Sequence, residues 1–166
     1  MKLVLCAFML LTLAACGFTP MYGSGGAGTS GLSATAGLDK IEIELIPDET
    51  GVYLRNILID QFYRDGYPVD PRYRLRVAAI NQKVQDLDVT TDSESTRRQI
   101  ILTSTMDLVD ISTGENVLSR PVKAITSYNV LGSQFTTRVS ENDAREAALE
   151  DLARQIETQI ALYLKR

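Results

Sequence analysis

The chain contains no histidine and no tryptophan, and only two cysteines in 166 residues. The missing histidine removes the commonest general base and the commonest metal ligand together. A serine nucleophile has no imidazole to activate it, and no G-x-S-x-G elbow is present. A Ser–Lys pair is formally open through Lys40, Lys83, Lys123 or Lys165, but no spacing specifies one. An excess of positive charge is also missing. There are 17 Lys and Arg against 21 Asp and Glu, a net charge of −4, which argues against a general nucleic-acid binder with its basic stripe. The expectation is a non-enzymatic protein with no cofactor, no metal and no catalytic residue.

One apolar run stands out, at the N-terminus. In "MKLVLCAFMLLTLAAC" Lys2 supplies a positive start, Leu3 to Leu13 an apolar core, and Ala14 and Ala15 the small residues of a cleavage site. The run is shorter than the roughly 20 residues a spanning helix needs, so it reads as a removable secretory signal. Leu13-Ala14-Ala15-Cys16 also fits the bacterial lipobox, in which the cysteine sulfur is lipidated and becomes the new N-terminus. The alternative is an ordinary signal with a chance cysteine. Cys6 would leave with the signal, so Cys16 would be the mature chain's one cysteine, its sulfur already alkylated, and no disulfide would form. Gly17 follows it, not the aspartate that often retains lipoproteins at the inner membrane, which favours the outer membrane. "GSGGAGTSGLSATAG", residues 23–37, reads as a flexible tether. The predicted organisation is a signal at 1–15, a lipidated cysteine and tether at 16–38, and one domain at 39–166.

Within the domain the hydrophobic period alternates between two and 3.6. "KIEIELI" places Ile41, Ile43 and Leu45 on one strand face and Glu42 and Glu44 on the other. "GVYLRNILIDQFYRDG" sets Leu54, Ile57, Leu58 and Phe62 at helical spacing, with Arg55, Asp60, Arg64 and Asp65 on the wet side. From Tyr73 a strand face of Tyr73, Leu75, Val77 and Ala79 opposes Arg74 and Arg76; Leu87 and Val89 either extend it or begin another strand. After the polar turn "TTDSES", Arg98, Ile100, Leu102, Met106 and Leu108 share a face opposite Arg97, Gln99, Thr103, Thr105 and Asp107. A last strand spans about 116–130, with Pro121 marking an edge or a bulge. Ser140 and Asp143 open a terminal helix of about 38 Å whose stripe is Leu149, Leu152, Ala153, Ile156, Ile160 and Tyr163. The predicted fold is α+β, a two-layer sandwich in the order β-α-β-β-β-α, with two helices on one face of a four-stranded mixed sheet. A right-handed crossover would make the first two strands parallel. The long hairpin is expected to project past the helices, where a partner could cover it.

Two charge patterns invite chemistry. Asp86 with Asp88, and Glu42 with Glu44, are spaced to share a strand face; solvated strand surface is the plainer reading, since no calcium-loop glycine accompanies them. Positive charge gathers at Arg97 and Arg98, at Arg120 and Lys123, and at Arg138. Arginine forks match phosphates, so Arg97, Arg98 and Lys123 are candidates for an anionic lipid head group, against a null of scattered surface charge.

The lipid-site segment "LAACGFTPMYG", the helix "GVYLRNILIDQF", the strand "YRLRVA", and the later "TRRQIILTSTMDLVD" and "SYNVLGSQFTTRVSENDAREAALEDLARQIETQIALYL" carry a resemblance. In order, they resemble the LptE family of lipopolysaccharide-assembly lipoproteins in its alphaproteobacterial form. The resemblance implies the two-helix, four-stranded fold and an outer-membrane, periplasm-facing lipoprotein. Such a protein plugs the barrel LptD, helps it assemble and assists lipopolysaccharide into the outer leaflet. Basic residues contribute to lipopolysaccharide binding in relatives, but the turn before "TRRQ" is acidic and hydroxylic here, so no site is carried over. The competing readings are an auxiliary lipoprotein of an ABC-type lipid or solvent export system, and a periplasmic enzyme acting on envelope polymers.

Overall fold

The computed structural model describes residues 37–64, 66–89 and 95–165, so the signal, Cys16 and nearly all of the tether lie outside the described residues. A 3-10 turn at Leu38–Lys40 leads into β1, Ile41–Ile43. Helix α1 is Asp48–Phe62, followed by β2, Tyr73–Val77, and β3, Asn81–Val89. Then come β4, Ser95–Asp110, β5, Asn116–Asn129, and helix α2, Gln134–Leu164.

The sheet has five strands but is four strands wide. β1 lies parallel to β2, with Ile41 opposite Tyr73 and Ile43 opposite Leu75, as a right-handed crossover requires. β2 and β3 then lie end to end along one side of β4. The first pairs Tyr73 with Asp110 and Val77 with Met106; the second pairs Asn81 with Thr103 and Asp86 with Arg98. β5 runs antiparallel along the other side of β4. The stretch expected as one strand or two is thus one sheet position interrupted at residues 78–80. There the Ala78 N–H donates to Thr105 O at 2.9 Å, and Ser104 Oγ donates to Ala78 O at 2.7 Å. β5 pairs only with β4 among the described residues, and an edge is where Pro121 does least harm.

One face of this sheet carries the core. Ile43, Leu75, Met106, Leu108, Ile100, Leu102, Val122, Ala124 and Tyr128 point to it, and Leu54, Leu58 and Phe62 of α1 join them. From α2 come Leu149, Leu152, Ala153, Ile156 and Ile160, expected from its spacing, together with Ala144 and Ala148, which were not; Tyr163 is only half-buried. Helix α2 packs on β4 and β5, and α1 packs on β1 and α2. Burying each Leu or Ile fully contributes about 1.5–3 kcal/mol, so this face holds the fold together.

Four local expectations change. Leu45 is 77% exposed and Ile46 is buried instead, because β1 ends at Ile43 and the chain turns before reaching α1. Ala79 is exposed because β2 stops at Val77. Arg55 is not on a wet face: its Nε donates to Glu44 O at 3.2 Å and its Nη2 to Ile43 O at 3.4 Å. Helix α2 starts six residues before Ser140, at Gln134, and is about 46 Å long. Thr137 supplies the start that a capping box would have supplied. Its Oγ1 accepts from the Leu131 N–H at 2.9 Å and lies 3.0 Å from Leu131 O.

Candidate functional site: the open face and far end of the sheet

Among the described residues no helix covers the face opposite the core, and its rows follow from the register. At the β1 end Glu42 and Glu44 stand beside Arg74 and Arg76. Arg74 Nε is 2.9 Å from Glu42 Oε2 and 3.5 Å from Glu44 Oε1, and Arg76 Nε is 3.1 Å from Glu44 Oε2. The hydrogen bond and charge of Glu42 raise the Arg74 pKa above its usual value. The Glu42–Glu44 pair therefore shares a face as expected, but as the acidic half of an ion-pair ladder. Each of the two carboxylates is thus engaged by a guanidinium group.

Towards the middle the rows become hydroxylic and then mixed. Asn81, Thr103 and Lys123 form one row, and Lys83, Ile101 and Ile125 the next. Ile125 is 48% exposed, so two ammonium groups flank a small apolar strip. Lattice spacing in a sheet puts Lys83 and Lys123 about 12 Å apart across this strip. Further on, Arg97 Nη2 donates to Ser127 Oγ at 2.8 Å, and its Nε to the same oxygen at 3.2 Å.

Of the three basic residues expected to act together, Arg97 and Lys123 share the open face and Arg98 does not. Arg97 and Arg98 are consecutive on β4 and so point to opposite sides. Arg97 is paired with Asn129, six residues from Lys123, which separates the two by about 20 Å along the strand. Arg98 turns to the helix side, where its Nε donates to Asp86 Oδ1 at 2.8 Å; hydrogen bonds to Asp86 and Tyr128 raise its pKa. It lines a cleft of about 420 Å³ with Leu131, Thr137, Arg138 and Glu141. Beside that cleft Leu131, Phe135 and Val139 are exposed at four-residue spacing, Phe135 to 78%. The stretch of β4 that carries Arg98 is therefore not bare, because the early start of α2 brings Arg138 up to it. Arg120, opposite Met106, belongs to the helix-side row.

Lys83 is the face residue that the charge pattern missed; only the strand register brings it opposite Ile101. The register shifts between Asp86 and Asp88, which sit opposite Arg98 and Arg97 respectively, so the regular alternation expected for that pair is broken. Among the described residues no group of His, Cys, Asp or Glu could hold a metal ion, and no helix is long and apolar enough to cross a membrane.

Comparison with known proteins addresses the whole domain. The family described as "LptE: Lipopolysaccharide-assembly" matches residues 38–161. No curated protein matches the chain at a significant level. Among solved structures, a protein of Caulobacter crescentus CB15 described as a lipoprotein superposes with a TM-score of 0.62 at 20% identity, covering 80% of this chain and 96% of its own. The minor lipoprotein of Acinetobacter baumannii gives 0.60 at 25% identity, over 75% of this chain and 92% of its own. Rare lipoprotein B of Shewanella oneidensis gives 0.59 at 11% identity, over 76% and 98%.

Proposed function

The chain belongs to the LptE lipopolysaccharide-assembly family, and from that premise we propose that it is an outer-membrane lipoprotein, acylated at Cys16, that seats inside the barrel LptD. In this reading it helps the barrel assemble and assists lipopolysaccharide into the outer leaflet, without catalysing a reaction. The observation that carries the reading is the family match over residues 38–161, nearly the whole folded domain.

The physical chemistry of the open face supports it. A barrel lumen is polar, unlike the lipid that surrounds the barrel. A sheet face built of ion pairs, threonines, glutamines and two lysines is suited to such a lumen. An acyl anchor and a Gly/Ser tether would hold the domain at high local concentration beside its partner, so that a modest interface suffices. Arg97, Arg98 and Lys123 are the proposed contacts for lipopolysaccharide. Arginine forks match phosphate oxygens in pairs, whereas lysine meets them as a point charge. Because Arg98 faces the other way from Arg97 and Lys123, the lipid would have to pass round the end of β4 rather than lie on one flat patch.

Gentle detergent extraction followed by affinity purification tests the reading. The expected result is recovery of the lipoprotein with one large heat-modifiable barrel. Recovery with an inner-membrane export complex would favour the auxiliary-lipoprotein alternative instead, and recovery alone would count against both. Replacing Arg97, Arg98 and Lys123 by alanine is expected to weaken lipopolysaccharide binding with little change in Tm. Unchanged binding would make these charges surface decoration.

A further inference from the structure

The sheet has three outer edges, and the molecule treats them differently. On β1 two side chains occupy the outward backbone groups. The Ile43 N–H donates to Tyr63 Oη at 3.0 Å, Tyr63 Oη donates to Ile41 O at 2.9 Å, and Arg55 reaches the carbonyls of Ile43 and Glu44. Burial of this phenol raises the Tyr63 pKa, which keeps it a donor. On β5, Pro121 removes a donor from the edge, and Gln155 Nε2 donates to Lys123 O at 3.0 Å. On β3 nothing comparable is present. Among the described residues it pairs with β4 on one side, and no strand or side chain reaches the backbone of residues 81–85 on the other. Its register shifts begin only after Asp86. An unblunted strand edge is a template for a further strand, and proteins that do not use one protect it.

A cleft of about 460 Å³ opens beside this edge on the helix side. Glu49 and Tyr53 of α1, Gln82 of β3, and Arg145 and Glu146 of α2 line it. The Arg145 guanidinium is engaged: Nε donates to Gln82 Oε1 at 3.0 Å and Nη2 to Glu141 Oε1 at 2.7 Å. Burial and then the neighbouring Glu146 carboxylate raise the Tyr53 pKa. Neither Glu49 nor Glu146 forms an ion pair among the described residues, so the cleft carries net negative charge.

We propose that the outer edge of β3 receives one strand of a partner polypeptide, in line with β1, and that this strand places a lysine or arginine side chain in the cleft between α1 and α2. Alternate side chains of an added strand point to the helix side. Backbone hydrogen bonds to residues 81–85 would supply affinity, and the acidic cleft would supply the choice of side chain. β1 already shows that this side of the sheet accepts a strand, and after its departure at Ile43 no described residue fills the next position. The inference goes beyond the barrel reading and does not depend on which polypeptide supplies the strand.

The test uses the full-length lipoprotein in its own envelope, with a benzophenone photocrosslinking residue at Gln82, at Val84 or, as control, at Ser119 on β5. The expected result is adducts from 82 and 84 to one segment of one polypeptide, and none from 119 to that segment. The two attachment points should lie two residues apart, with a Lys or Arg in that segment. The double variant E49Q/E146Q, at two solvent-exposed positions, should keep its Tm and lose at least fivefold in adduct yield. Attachment to a second copy of this chain, to lipid, at points without two-residue spacing, or no attachment would overturn the proposal. So would an unchanged yield in the double variant. The barrel reading is decided by co-purification instead, so either can fail alone.

Discussion

Leu102 and Thr103 are neighbours on β4 and live in different solvents. Leu102 is fully buried against the helices, whereas Thr103 lies in a row with Asn81 and Lys123 on a face that no helix among the described residues covers. The same contrast repeats along the sheet: Leu75 beside Arg74 and Arg76, Ile43 between Glu42 and Glu44. The covered face is held by shape and by exclusion of water, so its residues are hard to change. The open face is held by pairs of groups that water could serve almost as well, so its residues are available for another purpose. A face that does little for stability, yet is built of paired charges and flanking lysines, is where selection for a partner can act.

The sharpest division should come from Leu102→Ala against Thr103→Ala. Chemical denaturation is expected to show a loss of about 2–5 kcal/mol for the first, the usual range for emptying a buried leucine site. The second is expected to stay within about 0.5 kcal/mol of the parent. Comparable losses would mean that the open face is covered in solution.

Gly51 tests how tightly the covered side is closed. A Cβ there would lie 2.7 Å from Ile46 Cγ2 and 2.9 Å from the Ile46 carbonyl carbon and oxygen, where α1 passes over its own leading loop. Gly51→Ala is expected to cost about 1–3 kcal/mol despite the better helix propensity of alanine, because backbone must move. A stabilised variant in thermal unfolding would show that this loop gives way freely. Tyr63→Phe sits at the rim between the faces and removes the hydroxyl that serves Ile41 O and Ile43 N–H. Its expected cost is about 1 kcal/mol, with faster amide hydrogen exchange at Ile43. Exchange unchanged at Ile43 would remove the hydroxyl from the edge-capping role.

The smallest effect belongs to the open face. A double-mutant cycle on Arg74 and Glu42, 2.9 Å apart and more than a third exposed, is expected to give a coupling of about 0.2–1 kcal/mol that shrinks with salt. A larger, salt-insensitive coupling would put this face in a drier environment than the isolated domain provides.

Periodicity made most of the covered face legible. The positions facing inward on β2 and β4 and the long stripe of α2 follow from spacing two and spacing 3.6, because burial imposes those periods on any sequence. The ends of elements were harder. Leu45 continues an alternation that the backbone abandons at Ile43, and Arg55 looks like a wet helix residue until its guanidinium meets two carbonyls of β1. The start of α2 was hidden by Ser140, a good capping residue placed inside the helix, while Thr137 made the contacts that begin it.

By itself the sequence determined the class of fold, the inward positions of β2, β4 and α2 and the absence of histidine chemistry; for Pro121 it left an edge or a bulge open. Each of these depends on residue type and local spacing alone. Only the tertiary structure decided that Arg97 and Arg98 part company, that Lys83 and Lys123 flank the same apolar strip, and that among the described residues β3 is the edge strand left uncapped, beside an acidic cleft. Those facts depend on strand register and on which helix passes over which edge. Register is a relation between distant segments, and a one-residue slip would turn every side chain to the other face.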